Sequence, residues 1–114
     1  MAKFLIVMSL HDASRQRLEV TIPAIKSILE KNSDKGIEPA FRSANGDMFG
    51  FCLISDKTAG QILRAMGTAT YHDGYLKNAP IIDGRDNVIA LEIGADISAK
   101  GFTRLDTWLQ RHKG

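Results

Sequence analysis

Residues Phe4-Leu5-Ile6-Val7-Met8-Ser9-Leu10 form a nearly unbroken apolar run. In an extended chain, Phe4, Ile6, Met8 and Leu10 point to one face and Leu5 and Val7 to the other. A strand apolar on both faces belongs in the middle of a sheet. From about Ser14 to Lys31 the period changes. Leu18, Ile22, Ile25 and Leu29 recur at steps of four, three and four, one stripe of an amphipathic helix. Asp12 or Ser14 can cap its start, Asn32-Ser33-Asp34-Lys35-Gly36 ends it, and Pro23 is expected to kink or restart it.

Two extended runs follow, Ile37–Ser43 and Asp47–Ser55, joined by Ala44-Asn45-Gly46. Asn-Gly between such runs predicts a hairpin, because both residues accept positive φ. The first run carries Pro39 and reads as an edge strand; the second is apolar on both faces and reads as central. Thr58-Ala59-Gly60-Gln61 has capping-box spacing, and Ala59, Ile62, Leu63 and Met66 form the stripe of a second helix, with Gly67 as its expected left-handed cap. Residues 68–86 show no helical period. They read as a long loop, or as one containing a short strand at Pro80–Ile82 that pairs with the next strand, Val88–Ile93. Thr103–His112 reads as a last helix, with Thr103 and Asp106 at capping-box spacing and Leu105, Trp108 and Leu109 facing inward.

This order, with the first and third strands the most apolar and the second at an edge, predicts an α+β domain. The expected architecture is a ferredoxin-like β-α-β-β-α-β antiparallel sheet of spatial order 4-1-3-2 with an additional C-terminal helix. A length of 114 residues suits one domain spanning 1–114, long enough to bury most of its unfolded surface without a staple. Two helices cover only one face of such a sheet, while its central strands are apolar on both. The second face then needs either the C-terminal helix with Trp108 or a second subunit, and a homodimer is expected.

Composition refines this picture slightly. Apolar residues at 44% and charged residues at 25% are ordinary for a globular chain. A net charge of +2 permits a nucleic-acid partner without demanding one. In residues 100–114, Lys100, Arg104, Arg111 and Lys113 face one acid, Asp106, and read as a solvated helix end. Cys52 is the only cysteine, so no intrachain disulfide forms; it reads as a small hydrophobe in a reducing compartment. The N-terminal apolar run is barely long enough for a signal peptide, and His11, Asp12 and Arg15 stand where a cleavage site should be. No stretch approaches a membrane span, and a cytoplasmic location is expected.

Candidate chemistry is sparse. The chain contains no HExxH, P-loop, GxGxxG or GxSxG motif and no Cys/His cluster. Of the two His-Asp pairs, His11-Asp12 and His72-Asp73, the plainer reading is a helix cap for Asp12 and a polar loop for the other. Asp12 nevertheless lies just past the end of the first central strand. Paired across a dimer, two such carboxylates can hold Mg²⁺ and activate a water. Arg15 and Arg17 sit in the first turns of the helix, where their charge opposes the helix dipole and a phosphate partner would offset that. The 68–86 segment concentrates Tyr71, His72, Asp73, Tyr75, Lys77, Asn78 and Arg85, a set suited to contacting a partner or ligand.

The strand Phe4–Asp12 followed by Arg15-Gln16-Arg17-Leu18 resembles the small CRISPR-associated nuclease-fold subunits and their VapD-like toxin relatives. Members of that family are ferredoxin-like homodimers, some of them metal-dependent nucleases using that aspartate for catalysis, and the resemblance implies Asp12 as the metal-binding residue. The chain departs from that pattern in three places. His11 stands where the family has an aromatic residue, the second-strand motif is missing around Phe41-Arg42-Ser43, and the C-terminus reads as a helix rather than an exchanged strand.

With no catalytic constellation visible, the expected function is a small dimeric interaction or regulatory module, non-enzymatic and without cofactor. It would act through the sheet surface and the 68–86 loop, including Tyr71, His72, Asp73, Tyr75 and Arg85. Its partners are expected to be a second copy of the chain, and a protein or nucleic acid. The alternatives are the Asp12 nuclease with Mg²⁺ and a small-ligand sensor on the open sheet face.

Overall fold

Central burial of two strands organises the molecule. The computed structural model describes residues 1–12, 14–94 and 103–112, the side chains of residues 103, 105 and 106 excepted. Chain order is β1 (Ala2–Ser9), α1 (Arg15–Lys31), β2 (Ile37–Arg42), β3 (Met48–Ser55), α2 (Ala59–Thr68), β4 (Asn87–Ile93) and α3 (Thr103–Arg111). The strands form one four-stranded sheet in the order β2-β3-β1-β4, and every neighbouring pair is antiparallel. It follows that β1 runs parallel to β2, and β3 to β4, each pair separated by one strand and linked through a helix. The two most apolar strands are therefore the central ones, as their sequence pattern predicts.

One face of the sheet carries the main core. Phe4, Ile6 and Met8 of β1 and Phe49, Phe51 and Leu53 of β3 pack against Ile25 and Leu29 of α1 and Ile62 and Met66 of α2. The buried line of α1 runs through Thr21, Ile25 and Leu29, while Leu18 and Ile22 are only half-buried. A threonine takes the place that the apolar stripe assigns to Ile22, because its hydroxyl meets that of Tyr71 at 2.9 Å. Helix α1 passes Pro23 as one assigned element rather than restarting there.

The opposite face is covered in part. Trp108 of α3 is buried against Ala40, Cys52 and Ile54, with Leu5, Phe41, Ile93 and Leu109 around them. Arg111, in the last turn of α3, forms an ion pair with Glu38 of β2. Burial pushes the Cys52 thiol up to about 12, with Glu38 adding to the shift, so this cysteine acts as a core hydrophobe. Helix α3 thus supplies the within-chain cover for the β2–β3 half of the face. The expected capping pair Thr103/Asp106, the inward placement of Leu105, and Lys100 and Lys113 lie outside the described residues.

Several local expectations are corrected. In the β2–β3 connection only Gly46 has positive φ, at 80°; Asn45 does not. The Gly46 N–H donates to the Ser43 carbonyl, and the Asn45 side chain accepts from the Asp47 N–H and the Ser43 hydroxyl. The expected hairpin thus forms through a turn closed by Ser43 with one left-handed glycine. Pro39, which lacks an N–H, lies where β2 shifts register, and Ala40 is the extra residue of the bulge. The shift lays the Phe41 ring across Gly50, where a Cβ would come within 2.5 Å of the ring.

In α2 the capping box of Thr58 and Gln61 is complete. Gly67 lies inside the helix, which runs to Thr68 and ends at Ala69 in extended geometry, so the expected left-handed cap is absent there. Pro80–Ile82 does not join β4. Instead, Thr70 bridges Pro80 and Tyr71 bridges Lys77, closing the 70–80 stretch on itself, while Tyr71 and Ile81 plug into the main core. None of the helices among the described residues is long and apolar enough to cross a membrane.

Trp108 offers a direct test of the second core. Replacing it with Ala is expected to cost about 3–5 kcal/mol, measured by urea unfolding followed by far-ultraviolet circular dichroism. A loss below about 1 kcal/mol would mean that α3 is not packed as described.

Candidate functional site

The densest polar arrangement follows from strand register. Ser9 opposes Asn87 at the end of the β1–β4 ladder. Continuing that antiparallel register brings the residues after Ser9 alongside those before Asn87, so His11 meets the 83–86 turn. The turn is internally braced: the Asp86 N–H donates to the Asp83 carbonyl, the Asp83 N–H to Asp86 Oδ2, and the Arg85 N–H to Asp83 Oδ1. Helix α1 starts immediately afterwards. Ser14 is its N-cap, accepting from the Arg17 N–H, and Arg17 is carried back over the turn.

Asp86 is the hub. Its side chain is fully buried and receives both guanidinium arms of Arg17, at 3.0 and 2.5 Å. It also accepts from the His11 N–H at 3.1 Å and lies 2.8 Å from His11 Nδ1. Nδ1 lies near Asp83 as well, at 3.4 Å, and at the same distance from one guanidinium nitrogen of Arg17. Burial by itself would raise the Asp86 pKa. The hydrogen bonds from Arg17, His11 and two backbone N–H groups outweigh it and hold the carboxyl well below the usual carboxylate range. The same bond raises the pKa of Arg17.

His11, Asp83 and Asp86 bring three potential metal-ligand atoms within 4.8 Å of one another. The chemistry of the group is nonetheless that of an ion-pair clasp. Both Asp86 oxygens already face a bidentate guanidinium, and a divalent cation there would have to displace that charge. Among the described residues, no buried side-chain nitrogen or oxygen is left without a hydrogen-bond partner.

The residues singled out from sequence fall into three situations. Asp12 is exposed and lies outside the His11–Asp83–Asp86 group. Its Oδ1 accepts from the Ser14 N–H at 2.9 Å, and the Ser14 backbone and hydroxyl lower its pKa. Arg15 is exposed and pairs with Glu19 one turn on, while Arg17 is engaged by Asp86. Those two partners offset the unfavourable position of the arginines at the helix start.

Within the 68–86 segment, Tyr71 is a core residue, and His72 and Asp73 are exposed. Tyr75 is 72% exposed and accepts from the Gln16 side chain at 3.3 Å. Arg85 is exposed, 4.0 Å from Asp83. The structure therefore joins the start of α1 and the 68–86 segment into one end of the molecule, through Gln16–Tyr75, Thr21–Tyr71 and Arg17–Asp86. Sequence reasoning missed His11 and Asp86 as the residues that make this connection. The available signal was Asp83-Gly84-Arg85-Asp86, a turn whose acids flank the start of a strand.

No protein-family model matches the chain, and no curated protein matches it either.

The clasp predicts an acid dependence. The pKa of Asp86 is depressed in the folded state, so its contribution is fully present above the ordinary carboxylate value of about 4. It is lost as pH falls from there toward the native value. Stability measured by urea unfolding should decline below about pH 4, and Asp86→Asn should flatten that decline. At pH 7, Asp86→Ala, which strands a largely buried Arg17, should cost about 3–5 kcal/mol. A cost under 1 kcal/mol would show that the clasp does not hold the two loops.

Proposed function

We propose that this chain is a ferredoxin-like interaction module that self-associates through the half of the sheet face that α3 leaves open. The observation that supports the reading is a set of two cross-strand pairs. Leu5 opposes Leu91 and Val7 opposes Ile89 on the face away from α1 and α2. Ile89 is 49% and Leu91 45% exposed, while Leu5 and Val7 are half-buried. Val7, Ile89 and Leu91 thus make one contiguous patch that continues into Leu5 at the border of the Trp108 cluster, beside a strand whose outer edge pairs with nothing among the described residues. Water contact with such a patch is unfavourable in proportion to its apolar area.

The ends of the patch are more polar. Ser9 and Asn87 oppose each other at one end, and Lys3 lies opposite Ile93 at the other. An apolar centre with a polar rim has the anatomy of an interface. A second copy offers a matching surface by two-fold symmetry, since an isologous contact needs only one self-complementary patch. The reading requires no catalytic group, and it places the regulatory capacity of the module in its oligomeric state.

Light scattering coupled to size exclusion tests it. At micromolar concentration the wild-type chain is expected to elute with the mass of a dimer, and Ile89→Glu/Leu91→Glu with that of a monomer of unchanged far-ultraviolet circular dichroism. A monomeric wild type would overturn the reading, as would a dimer that both glutamates leave intact.

A further inference from the structure

The turn that joins β2 to β3 carries the one Asn-Gly pair in the chain, Asn45-Gly46. An asparagine followed by glycine is open to attack by its own backbone. The glycine nitrogen, once a base has taken its proton, can bond to the side-chain carbon Cγ, because glycine lacks the Cβ that would shield the approach. As this bond forms, the bond from Cγ to the side-chain nitrogen breaks and ammonia leaves, closing a five-membered succinimide. Water then opens the ring at either of its carbonyl carbons, giving aspartate or isoaspartate. The sum is asparagine plus water going to the acid plus ammonia.

In the folded chain three features oppose the first step, although the Asn45 side chain is exposed to water. The Gly46 N–H donates to the Ser43 carbonyl at 3.0 Å. Deprotonation would break that hydrogen bond and leave the electron pair facing the carbonyl oxygen instead of Asn45 Cγ. Asn45 Oδ1 is itself held, accepting from the Asp47 N–H at 3.3 Å and sharing the Ser43 hydroxyl, 3.0 Å away, with Asp47 Oδ1. A backbone N–H can only donate, so the Asp47 contact also fixes which amide atom is the oxygen. Lastly, Gly46 is buried: a Cβ built on it would lie 3.0 Å from the Arg42 guanidinium and 3.1 Å from Leu18 Cδ1. Ring closure would turn Gly46 against those side chains, so the reacting atoms come into line only when the turn opens.

We propose that Asn45 is a deamidation site gated by the β2–β3 turn, shut off in the closed hairpin and reactive when the hairpin opens. Strand β2 is suited to opening: it is paired on one side only, and Pro39 and a bulge interrupt its ladder. The change runs one way. Isoaspartate routes the main chain through the former side chain and lengthens it by one carbon, while hairpin register depends on loop length. The bonds from the Ser43 N–H to the Met48 carbonyl and from the Gly46 N–H to the Ser43 carbonyl then no longer fit one turn. Either product also sets a new carboxylate beside Asp47, where like charges repel. The effect extends past the turn, because β2 carries Ala40 into the Trp108 cluster. The site stands apart from the self-association proposed above, since none of its residues belongs to the β1–β4 patch.

The test incubates the full chain in mildly alkaline buffer, folded or denatured in guanidinium chloride, and follows the tryptic fragment Ser43–Lys57 by mass spectrometry. That fragment contains no asparagine besides Asn45. Exchange of its amide for an acid changes the mass, and electron-transfer fragmentation separates isoaspartate from aspartate. Deamidation is expected in the denatured chain and should be about tenfold slower, or more, in the folded one. Ser43→Ala removes the hydroxyl that holds Asn45 Oδ1 and accepts from the Met48 N–H. It should react several-fold faster than the wild type while Trp108 near-ultraviolet circular dichroism shows it folded. Should Ser43→Ala fail to fold, the folded and denatured wild type decide between them. No reaction in the denatured chain, a folded rate equal to or above the denatured one, or a folded Ser43→Ala no faster than wild type would each overturn the proposal.

Discussion

Strand β1 has apolar side chains on both faces, and the other elements are arranged around that fact. Neither face of Phe4–Met8 can be left to water without a cost that grows with every exposed methylene. The strand must therefore be flanked by β3 and β4 and covered above and below. Helices α1 and α2 cover one side completely, with Phe4, Ile6 and Met8 all buried. On the other side, α3 reaches the β2–β3 half, where Trp108 lies against Cys52. The remaining half, around Val7, Ile89 and Leu91, is where the requirement is met least well within one chain.

The same register that buries β1 also builds the polar end of the molecule. Once Ser9 lies opposite Asn87, the chain leaving β1 and the chain entering β4 are neighbours. Their backbone groups need partners, and Asp86 supplies them to His11 and Asp83 while neutralising Arg17. One buried carboxylate thus fastens the start of α1 to the loop that precedes β4. A buried charge is tolerated there because it is fully paired and hydrogen-bonded. This cluster contains ligand-type atoms at metal-site distances, yet its geometry is that of a salt-bridged clasp, which shows why proximity of acids and histidine alone does not define a metal centre.

Charge on the surface divides along similar lines. Arg15, Arg17 and Arg111 are matched to carboxylates, and of the three partners only Asp86 has a fully buried side chain. The exposed pairs Arg15–Glu19 and Arg111–Glu38 contribute little beyond solubility and local order, unlike the buried Arg17–Asp86 pair. Edge strand β2 is irregular because Pro39 cannot donate to the ladder and a bulge follows it.

By itself the sequence determined everything that depends on short-range periodicity. The two-sided apolar runs of β1 and β3, the edge character of Pro39-bearing β2, the Thr58–Gln61 box and the amphipathic α1 were all legible, because solvent exclusion and capping act within one turn or one pleat. Tertiary structure decided what depends on long-range neighbours. Thr21 is a core residue beside Tyr71, whose hydroxyl meets its own, and Gly67 stays inside a helix that runs on to Thr68. Asp12 is a loop cap, and Arg17 serves Asp86, a partner 69 positions away. Tyr71, read as a surface contact residue, plugs the core instead. A side chain's role at such positions is set by the charge and volume that folding brings to it, and no local pattern encodes those.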